Sequence, residues 1–228
     1  MSKKRRGFTM IEVSLFLVMT GVIFVGIVMG TQNSIFQQRY NDAVQSFADF
    51  LQNNYSQTTN VQSDGTGTSD YLIYGRLISF GNDKVVSYSV IGENKDFGSD
   101  GSALSQLIGA SAMVGKSESG GQLIGLTETY VPKWGSKIQT KAGDTFTGAI
   151  LIVRHPETGS VHTYVTDNHV NEGEAISSVG FGEPMQLDLC VNPNGDAASN
   201  LRKDVRIVKD AKNASGVILV PDDESECR

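Results

Sequence analysis

A long apolar run near the N-terminus constrains this chain more than any other feature. Residues 8–30 contain one charged side chain, Glu12, and as a helix these 23 residues would extend about 35 Å, enough to cross the hydrocarbon core of a bilayer. Four basic residues at positions 3–6 precede the run, and basic residues beside a membrane span stay on the cytoplasmic side. We therefore expect a single-pass cytoplasmic-membrane protein whose C-terminal bulk lies outside the cytoplasm.

Two simpler interpretations compete for this segment. A cleaved secretory signal has a shorter apolar core and a small-x-small site, for which residues 28–31 are a poor match. A plain signal anchor has no use for Glu12, because a carboxylate at the bilayer centre costs about 2.5–3.5 kcal/mol and somewhat less near an end.

If the chain were cut between Gly7 and Phe8, Glu12 would lie about one helical turn from the new α-amino group. Its carboxylate could then pair with the ammonium of a neighbouring subunit, and this pairing would fix the register of the two subunits during assembly.

The segment Gly7-Phe8-Thr9-Met10-Ile11-Glu12-Val13, placed between basic residues and an apolar helix, resembles the class III signal of type IV prepilins and type II secretion pseudopilins. The resemblance implies cleavage by a prepilin peptidase between Gly7 and Phe8, N-methylation of Phe8, and Glu12 as the assembly carboxylate. It also implies as partners other pilins or pseudopilins through the N-terminal helix, the peptidase, and an assembly platform with its ATPase machinery. One mild departure is Met10, where Leu is commoner.

What this resemblance implies for function is a structural subunit. We expect a minor pilin or pseudopilin of a type IV pilus or of a related type II secretion or competence filament, first held in the membrane and then incorporated into a surface or periplasmic filament. A pilus-borne DNA-uptake receptor or adhesin is the alternative. An exported, membrane-anchored protein that never assembles is a third hypothesis.

Helical periodicity continues beyond the apolar run into a more polar segment. The apolar residues that recur at three and four positions are Phe36, Tyr40, Ala43, Val44, Phe47, Phe50, Leu51 and Tyr55. We predict a leader at 1–7, a transmembrane and assembly helix at 8–30, its amphipathic continuation at 31–55, and an exported globular head at 56–228. The aromatic stripe predicts packing of the helix against the head, and the polar stretch 56–70 is expected to be a loop.

The head is expected to be β-rich, which gives an α+β fold class: a long N-terminal helix packed on a mainly antiparallel β-sheet, as in pilins. The predicted strands are Tyr71–Phe80, Lys84–Ile91, Gln122–Val131, Phe146–Arg154, Val161–Thr166, Met185–Val191, Asp204–Lys209 and Gly216–Val220. A short helix is predicted at Ala103–Ile108, and turns at 81–83 and 155–160. The last strands loosely resemble those of minor pilins and pseudopilins, whose heads contain two small sheets.

The two cysteines, Cys190 and Cys227, have two interpretations. In an exported segment an even number of cysteines favours a disulfide, whereas in the cytosol the same pair would be two buried thiols. The pair also resembles the C-terminal disulfide loop of many pilins. Export of the head therefore predicts that Cys190 and Cys227 are bonded.

Charge limits contact with nucleic acid to one local cluster. Four of the 19 basic residues lie at positions 3–6, so the rest of the chain has 15 basic against 25 acidic residues and repels DNA as a whole. The candidate DNA contact is the basic cluster of Arg202, Lys203, Arg206, Lys209 and Lys212. A salt-bridged strand and turn, using Asp204 and Asp210, is the competing interpretation and the favoured one.

No motif in the sequence predicts catalysis. It contains no phosphate-binding loop, nucleophile elbow or paired-cysteine zinc pattern. His155, His162 and His169 are spaced by seven, which places neighbours on opposite faces of a strand, and a turn intervenes. We predict surface histidines, no metal site, no cofactor and no enzymatic activity.

Overall fold

The computed structural model describes residues 9–59, 71–94, 101–115, 127–155, 158–182, 186–193, 202–221 and 224–227. The predicted leader and Phe8 therefore lie outside the described residues. The chain divides into two compact units, Met1–Asn41 and Asp42–Arg228, which are described separately.

A single helix, α1, spans Met10–Thr59. Its end differs from the expected one at Tyr55, because residues 56–59 are helical and not part of a loop. The hydroxyls of Ser56 and Thr58 donate to main-chain carbonyls one turn earlier, at 3.0 Å each. Arg154 Nη1 donates to the carbonyl of Thr59 at 3.2 Å and so satisfies an acceptor that the helix terminus leaves open. Polar composition alone was therefore a poor guide to the end of α1.

In the first unit, α1 exposes apolar side chains on all sides. Met10, Phe16, Phe24 and Met29 are all exposed. By length and composition, α1 is the one helix among the described residues that could cross a membrane. This finding fits a single-pass membrane protein.

The second unit contains the remaining elements. Its strands are β1 Tyr71–Phe80, β2 Val85–Glu93, β3 Met113–Val114, β4 Thr127–Tyr130, β5 Lys137–Gln139, β6 Ala149–Arg154, β7 Val161–Thr166, β8 Leu187–Asn192, β9 Lys203–Ile207 and β10 Val217–Val220. A second helix, α2, spans Ala103–Gly109, and short 3-10 helices lie at Lys133–Gly135, Ile176–Ser178 and Ala214–Gly216.

These strands form two antiparallel sheets. In the larger sheet the order is β3-β2-β1-β6-β7, and β4 pairs with β2 beside β3. The smaller sheet has the order β10-β9-β8-β5. The fold class is therefore α+β with antiparallel sheets, as the sequence indicated.

Two predicted strands, Tyr71–Phe80 and Val161–Thr166, are confirmed to the residue. The turns at 81–83 and around Gly159 are also confirmed, since Gly81 N–H donates to Lys84 O at 2.9 Å and Gly159 N–H to His155 O at 2.9 Å. The other predicted elements have shifted ends: Val85–Glu93, Ala103–Gly109, Ala149–Arg154, Leu187–Asn192, Lys203–Ile207 and Val217–Val220. Of the prediction Gln122–Val131, residues 127–130 form a strand and residues 122–126 lie outside the described part. The very short strands β3 and β5 were not predicted.

The C-terminal part of α1, within the second unit, packs on one face of the larger sheet. Phe47 meets Phe80 edge-on at 6.3 Å between ring centroids, and Phe50 stacks on Tyr130 at 5.0 Å. Tyr55 is buried, and its hydroxyl bonds the Thr163 hydroxyl at 2.7 Å. Burial raises the pKa of Tyr55 to about 12. The stripe is thus buried from Tyr40 to Tyr55, as its spacing predicted, whereas Phe36, its first predicted member, is exposed.

A buried polar network fixes this packing. Arg76 on β1 is buried and donates from Nε to Asn54 Oδ1 of α1 at 3.3 Å and from Nη1 to Ser89 Oγ at 3.0 Å. Ser87 Oγ also donates to Asn54 Oδ1. Glu128 Oε2 lies 3.9 Å from Arg76 Nη2 and forms an ion pair with it. Burial lowers the pKa of Arg76, and the charge of Glu128 opposes that effect.

The opposite face of the larger sheet carries a second core cluster. Leu77, Leu107, Leu151 and Ile176 are fully buried there, so α2 and the 3-10 helix at Ile176–Ser178 cover this face. Gly75 is required at the bulge in β1, since a Cβ atom at this position would lie 2.1 Å from the carbonyl oxygen of Ile152.

Candidate functional site

The first turn of α1 contains the predicted assembly carboxylate. Glu12 N–H donates to Thr9 Oγ1 at 3.3 Å, and Thr9 N–H donates to Glu12 Oε2 at 3.4 Å. This reciprocal pair is a capping box, in which Thr9 is the N-cap and Glu12 the third helical residue. Residues Gly7 and Phe8, the predicted cleavage and methylation positions, lie outside the described residues.

The capping box supplies a local explanation for Glu12 that the sequence analysis did not consider. A carboxylate at this position satisfies an open main-chain donor and interacts favourably with the positive end of the helix dipole. The Glu12 carboxylate accepts this hydrogen bond through Oε2. The side chains of Glu12, Met10 and Ile11 are all exposed. Capping and pairing with another subunit are therefore compatible, and a variant that preserves one while removing the other can separate them.

A network of five charged residues lies on the smaller sheet. Asp188 on β8 and Arg206 on β9 are bonded through Arg206 Nε, and Arg206 Nη2 donates to Asp204 Oδ2 at 3.4 Å. Lys141 Nζ, from the turn after β5, lies 2.6 Å from Asp188 Oδ2 and 2.5 Å from Glu226 Oε2. We refer to Lys141, Asp188, Asp204, Arg206 and Glu226 as the charged clasp, because it joins the turn, two strands and residues near the C-terminus.

The two aspartates of the charged clasp titrate in opposite directions. Burial opposes ionisation of Asp188, but hydrogen bonds from Lys141, Arg206 and Gln186 outweigh it and lower the pKa. Burial raises the pKa of Asp204 to about 6, and the charge of Asp188 adds to this effect. No described residue bonds Asp204 Oδ1, which is buried. Within the charged clasp, Asp204 is therefore the carboxylate whose ionised form is destabilised.

The predicted basic cluster is divided by the structure. Arg206 belongs to the charged clasp, which agrees with the salt-bridged interpretation. Arg202 and Lys203 are half-buried, while Lys209 and Lys212 are exposed beyond the end of β9. The side chains left facing solvent are therefore two lysines, and DNA contact stays a prediction.

Cys190 on β8 is bonded to Cys227, with 5.6 Å between the Cα atoms. Cys190 also lies opposite Asp204 in the register of β8 and β9, so the disulfide and the charged clasp share one part of the sheet. The disulfide favoured by the sequence analysis is present in the structure, and the alternative of two free thiols is wrong.

The three histidines have separate structural partners. His155 is buried, contrary to the predicted surface position, because its Nε2 bonds Gly101 O at 3.1 Å and its Nδ1 accepts from Thr158 N–H at 3.3 Å. His162 Nε2 bonds Ser160 Oγ at 2.9 Å, and His169 Nδ1 bonds Phe80 O at 3.0 Å. Burial, with the nearby His155 and Lys212, lowers the pKa of His162. Within the described ranges no three or more His, Cys, Asp or Glu side chains are grouped to hold a metal ion.

Sequence reasoning indicated salt bridges between Asp204 and the basic cluster that contains Arg206, but it missed Lys141, Asp188 and Glu226. Lys141 and Asp188 lie far apart in the chain, and no motif indicates that the turn after β5 reaches β8. The alternation of Asp188 with Cys190, and of Asp204 with Arg206, was the available signal, because it places four side chains on one sheet face. Comparison of the chain with protein-family models, curated proteins and solved structures finds no match.

Proposed function

We propose that this chain is a type IV pilin-like subunit, a minor pilin or pseudopilin that assembles through its N-terminal helix. The observation that carries the proposal is Glu12, a carboxylate in the first turn of a helix whose following residues are apolar and exposed on all sides. An apolar surface of this kind requires a bilayer or other helices around it. A charge within it requires a partner there.

Two features of the second unit support the proposal. The C-terminal part of α1 is built into the core of a β-rich head, so an assembling helix would carry a folded domain with it. The Cys190–Cys227 disulfide fits a head exposed to an oxidising compartment outside the cytoplasm.

In the proposed mechanism, a prepilin peptidase cleaves the amide bond between Gly7 and Phe8 and leaves Phe8 with a free amine that is then methylated. Glu12 Oε2 remains bonded to Thr9 in the first turn. The carboxylate then attracts the ammonium of a neighbouring subunit, because two lone charges in apolar surroundings are far less stable than a pair. This attraction would set the axial position of each new subunit.

Glu12→Gln tests whether the charge or the cap matters. Glutamine serves at this position of a capping box, so the variant retains the helix cap and removes only the charge. We expect it to insert in the membrane at the wild-type level but to be lost from sheared filaments, as Glu12→Leu would be. Asp49→Asn, on the exposed side of the same helix, is the matched control. Filament incorporation of Glu12→Gln at the wild-type level would contradict the proposal.

The mass of the native protein tests processing independently. We expect the measured mass to match a chain that begins at Phe8 and carries one added methyl group. A chain recovered with residues 1–7 attached, from cells whose other prepilins are trimmed, would contradict the assignment.

DNA uptake remains the second candidate, because Lys209 and Lys212 are both exposed and lie three positions apart in the sequence. Arg206 is unsuitable for its test, since the charged clasp holds it and its loss would disturb folding. We expect Lys209→Ala with Lys212→Ala to weaken binding of duplex DNA and to reduce the salt dependence by about two ion equivalents. Unchanged binding, or none in the wild type, would remove this candidate.

A further inference from the structure

The charged clasp contains one carboxylate more than its two cations can balance. Its carboxylates belong to Asp188, Asp204 and Glu226, and its cations to Lys141 and Arg206. The Asp204 side chain is fully buried and that of Asp188 is 3% exposed, so water screens neither charge well. If all five groups were ionised, the head would therefore hold an unbalanced negative charge in a largely buried place, which is costly.

Asp204 is the carboxylate that a proton fits best. Asp188 is bonded to both Arg206 and Lys141, whereas Asp204 Oδ2 accepts only a long bond of 3.4 Å from Arg206 Nη2. Asp204 Oδ1 is buried and accepts no hydrogen bond from the described residues. A proton on Oδ1 removes the buried charge and leaves Oδ2 able to accept from Arg206. The pKa of Asp204, which burial raises to about 6, agrees with this placement.

The other four members of the charged clasp supply the charges that act on Asp204. Cys190 lies directly opposite Asp204 on β8, but its disulfide does not titrate. Val220, which is apolar, lies opposite Asp204 on β10. Arg202, just before β9, directs its guanidinium to the turn after β5, where a Cβ atom at Gly143 would lie 3.7 Å from Nη1. Within the described part of the chain, the charge balance of the clasp therefore depends on its own five groups.

Glu226 is the most weakly held carboxylate of the charged clasp. Its side chain is 61% exposed and pairs with Lys141, which also pairs with the buried Asp188. An exposed ion pair contributes little to stability, so a modest repulsion is enough to open it. The negative charge of Glu226 helps to raise the pKa of Asp204. Because coupling between two sites is reciprocal, an ionised Asp204 disfavours an ionised Glu226 beside it to the same extent.

We propose that the charged clasp is a proton switch, in which a proton on Asp204 lets Lys141 hold Glu226 and loss of that proton releases the Glu226 side chain to solvent. Lys141 then stays with Asp188, so the two cations face the two buried aspartates alone. Glu226 precedes Cys227, so its release loosens the chain beside the disulfide while the disulfide keeps that chain attached. The switch does not rest on the proposed function, because it lies wholly within the second unit.

Titration of Asp204 in the full chain tests the first part of the switch. Carboxyl carbon signals of 13C-labelled protein in micelles are followed from pH 4 to pH 8. We expect Asp204 to titrate near pH 6 and Glu226→Gln to lower its proton affinity about threefold or more. Glu224→Gln, an identical change at an exposed position two residues earlier, is the control and should leave the midpoint unchanged. Titration of Asp204 near pH 4, or equal effects of the two variants, would overturn the proposal.

Motion of the Glu226 side chain tests its release, because electrostatic coupling alone would not mobilise it. Relaxation of the Glu226 methylene carbons in the full chain measures this motion. We expect the wild-type side chain to be ordered at pH 5 and mobile at pH 7.5. Asp204→Asn, which resembles the protonated carboxyl in shape and charge, should keep it ordered at both pH values. Equal order at the two pH values in the wild type, or the same loss of order in Asp204→Asn, would overturn the switch.

Discussion

Asp188 and Arg206 occupy directly opposed positions of β8 and β9, and the Arg206 guanidinium donates to the Asp188 carboxylate. The Asp188 side chain is only 3% exposed, and that of Arg206 is 17% exposed, so this ion pair is largely removed from water. Lys141 approaches the second oxygen of Asp188. The pair therefore organises the charged part of the smaller sheet.

Removal of one partner should be costly because the other charge remains buried. We expect Arg206→Ala to lower the free energy of unfolding by about 3 kcal/mol, measured by urea denaturation of the full chain in micelles. Lys209→Ala, two residues past the end of β9, is the control and should change it by about 0.5 kcal/mol or less. Equal effects of the two variants would show that the ion pair contributes no more than a surface charge.

Asp204 should make the head less stable as the pH rises. Its pKa of about 6 lies above the ordinary value of 3.8, so between these pH values the folded head holds a proton that the unfolded chain has released. Stability should therefore fall from about pH 4 to about pH 6 and then level off. Asp188, whose pKa is lowered, contributes in the opposite sense: its contribution is complete above the ordinary value of 3.8 and is lost as the pH falls from there through its folded pKa.

Asp204→Asn removes the penalised carboxylate with little change of shape. We expect the variant to be more stable than the wild type by up to about 3 kcal/mol near pH 8, and the difference to vanish near pH 4. Denaturation curves across this range measure the effect. A stability difference independent of pH would contradict the role assigned to Asp204.

Reduction of Cys190–Cys227 should destabilise the head through the unfolded state. The bond closes a loop with a sequence separation of 37, for which chain entropy predicts a loss of about 4 kcal/mol. Unfolding with and without reductant measures the loss, and a Cys190→Ser, Cys227→Ser variant, which reductant should not affect, is the control. A reduced protein as stable as the oxidised one would argue against the entropic account.

The network beneath α1 should show coupling between Asn54 and Arg76. Asn54→Ala removes the acceptor used by Arg76 and Ser87, which should cost about 2–3 kcal/mol. Arg76→Met should cost less in the Asn54→Ala background than in the wild type. A double-mutant cycle should give a coupling energy of about 1–2 kcal/mol, and additive effects would contradict the network.

Much of the fold could be predicted because periodicity reports burial. The stripe from Ala43 to Tyr55 indicated which side of α1 packs on the head, and alternation located Tyr71–Phe80 and Val161–Thr166. Strand β5 could not be predicted, since three residues carry no period. The polar residues 56–59 were mistaken for a loop because their hydroxyls bond the helix backbone, an arrangement that composition does not reveal.

The candidate sites were less accessible to prediction. Glu12 could be identified from its apolar neighbours in the sequence, but its hydrogen bonds to Thr9 are evident only in the structure. His155 was expected at the surface because the spacing of the three histidines spoke against a shared metal site, and the partner of its buried ring is the carbonyl of Gly101, more than fifty residues earlier.

The network around Arg76 also limits how the protein can diverge. An exchange at Asn54 alone removes the acceptor of two buried donors, and an exchange at Arg76 alone leaves the amide oxygen with one fewer donor. Related proteins should therefore either keep both residues or replace them jointly with apolar ones. Paired replacement of these two residues across homologues would indicate that the orientation of the C-terminal part of α1 on the larger sheet is maintained.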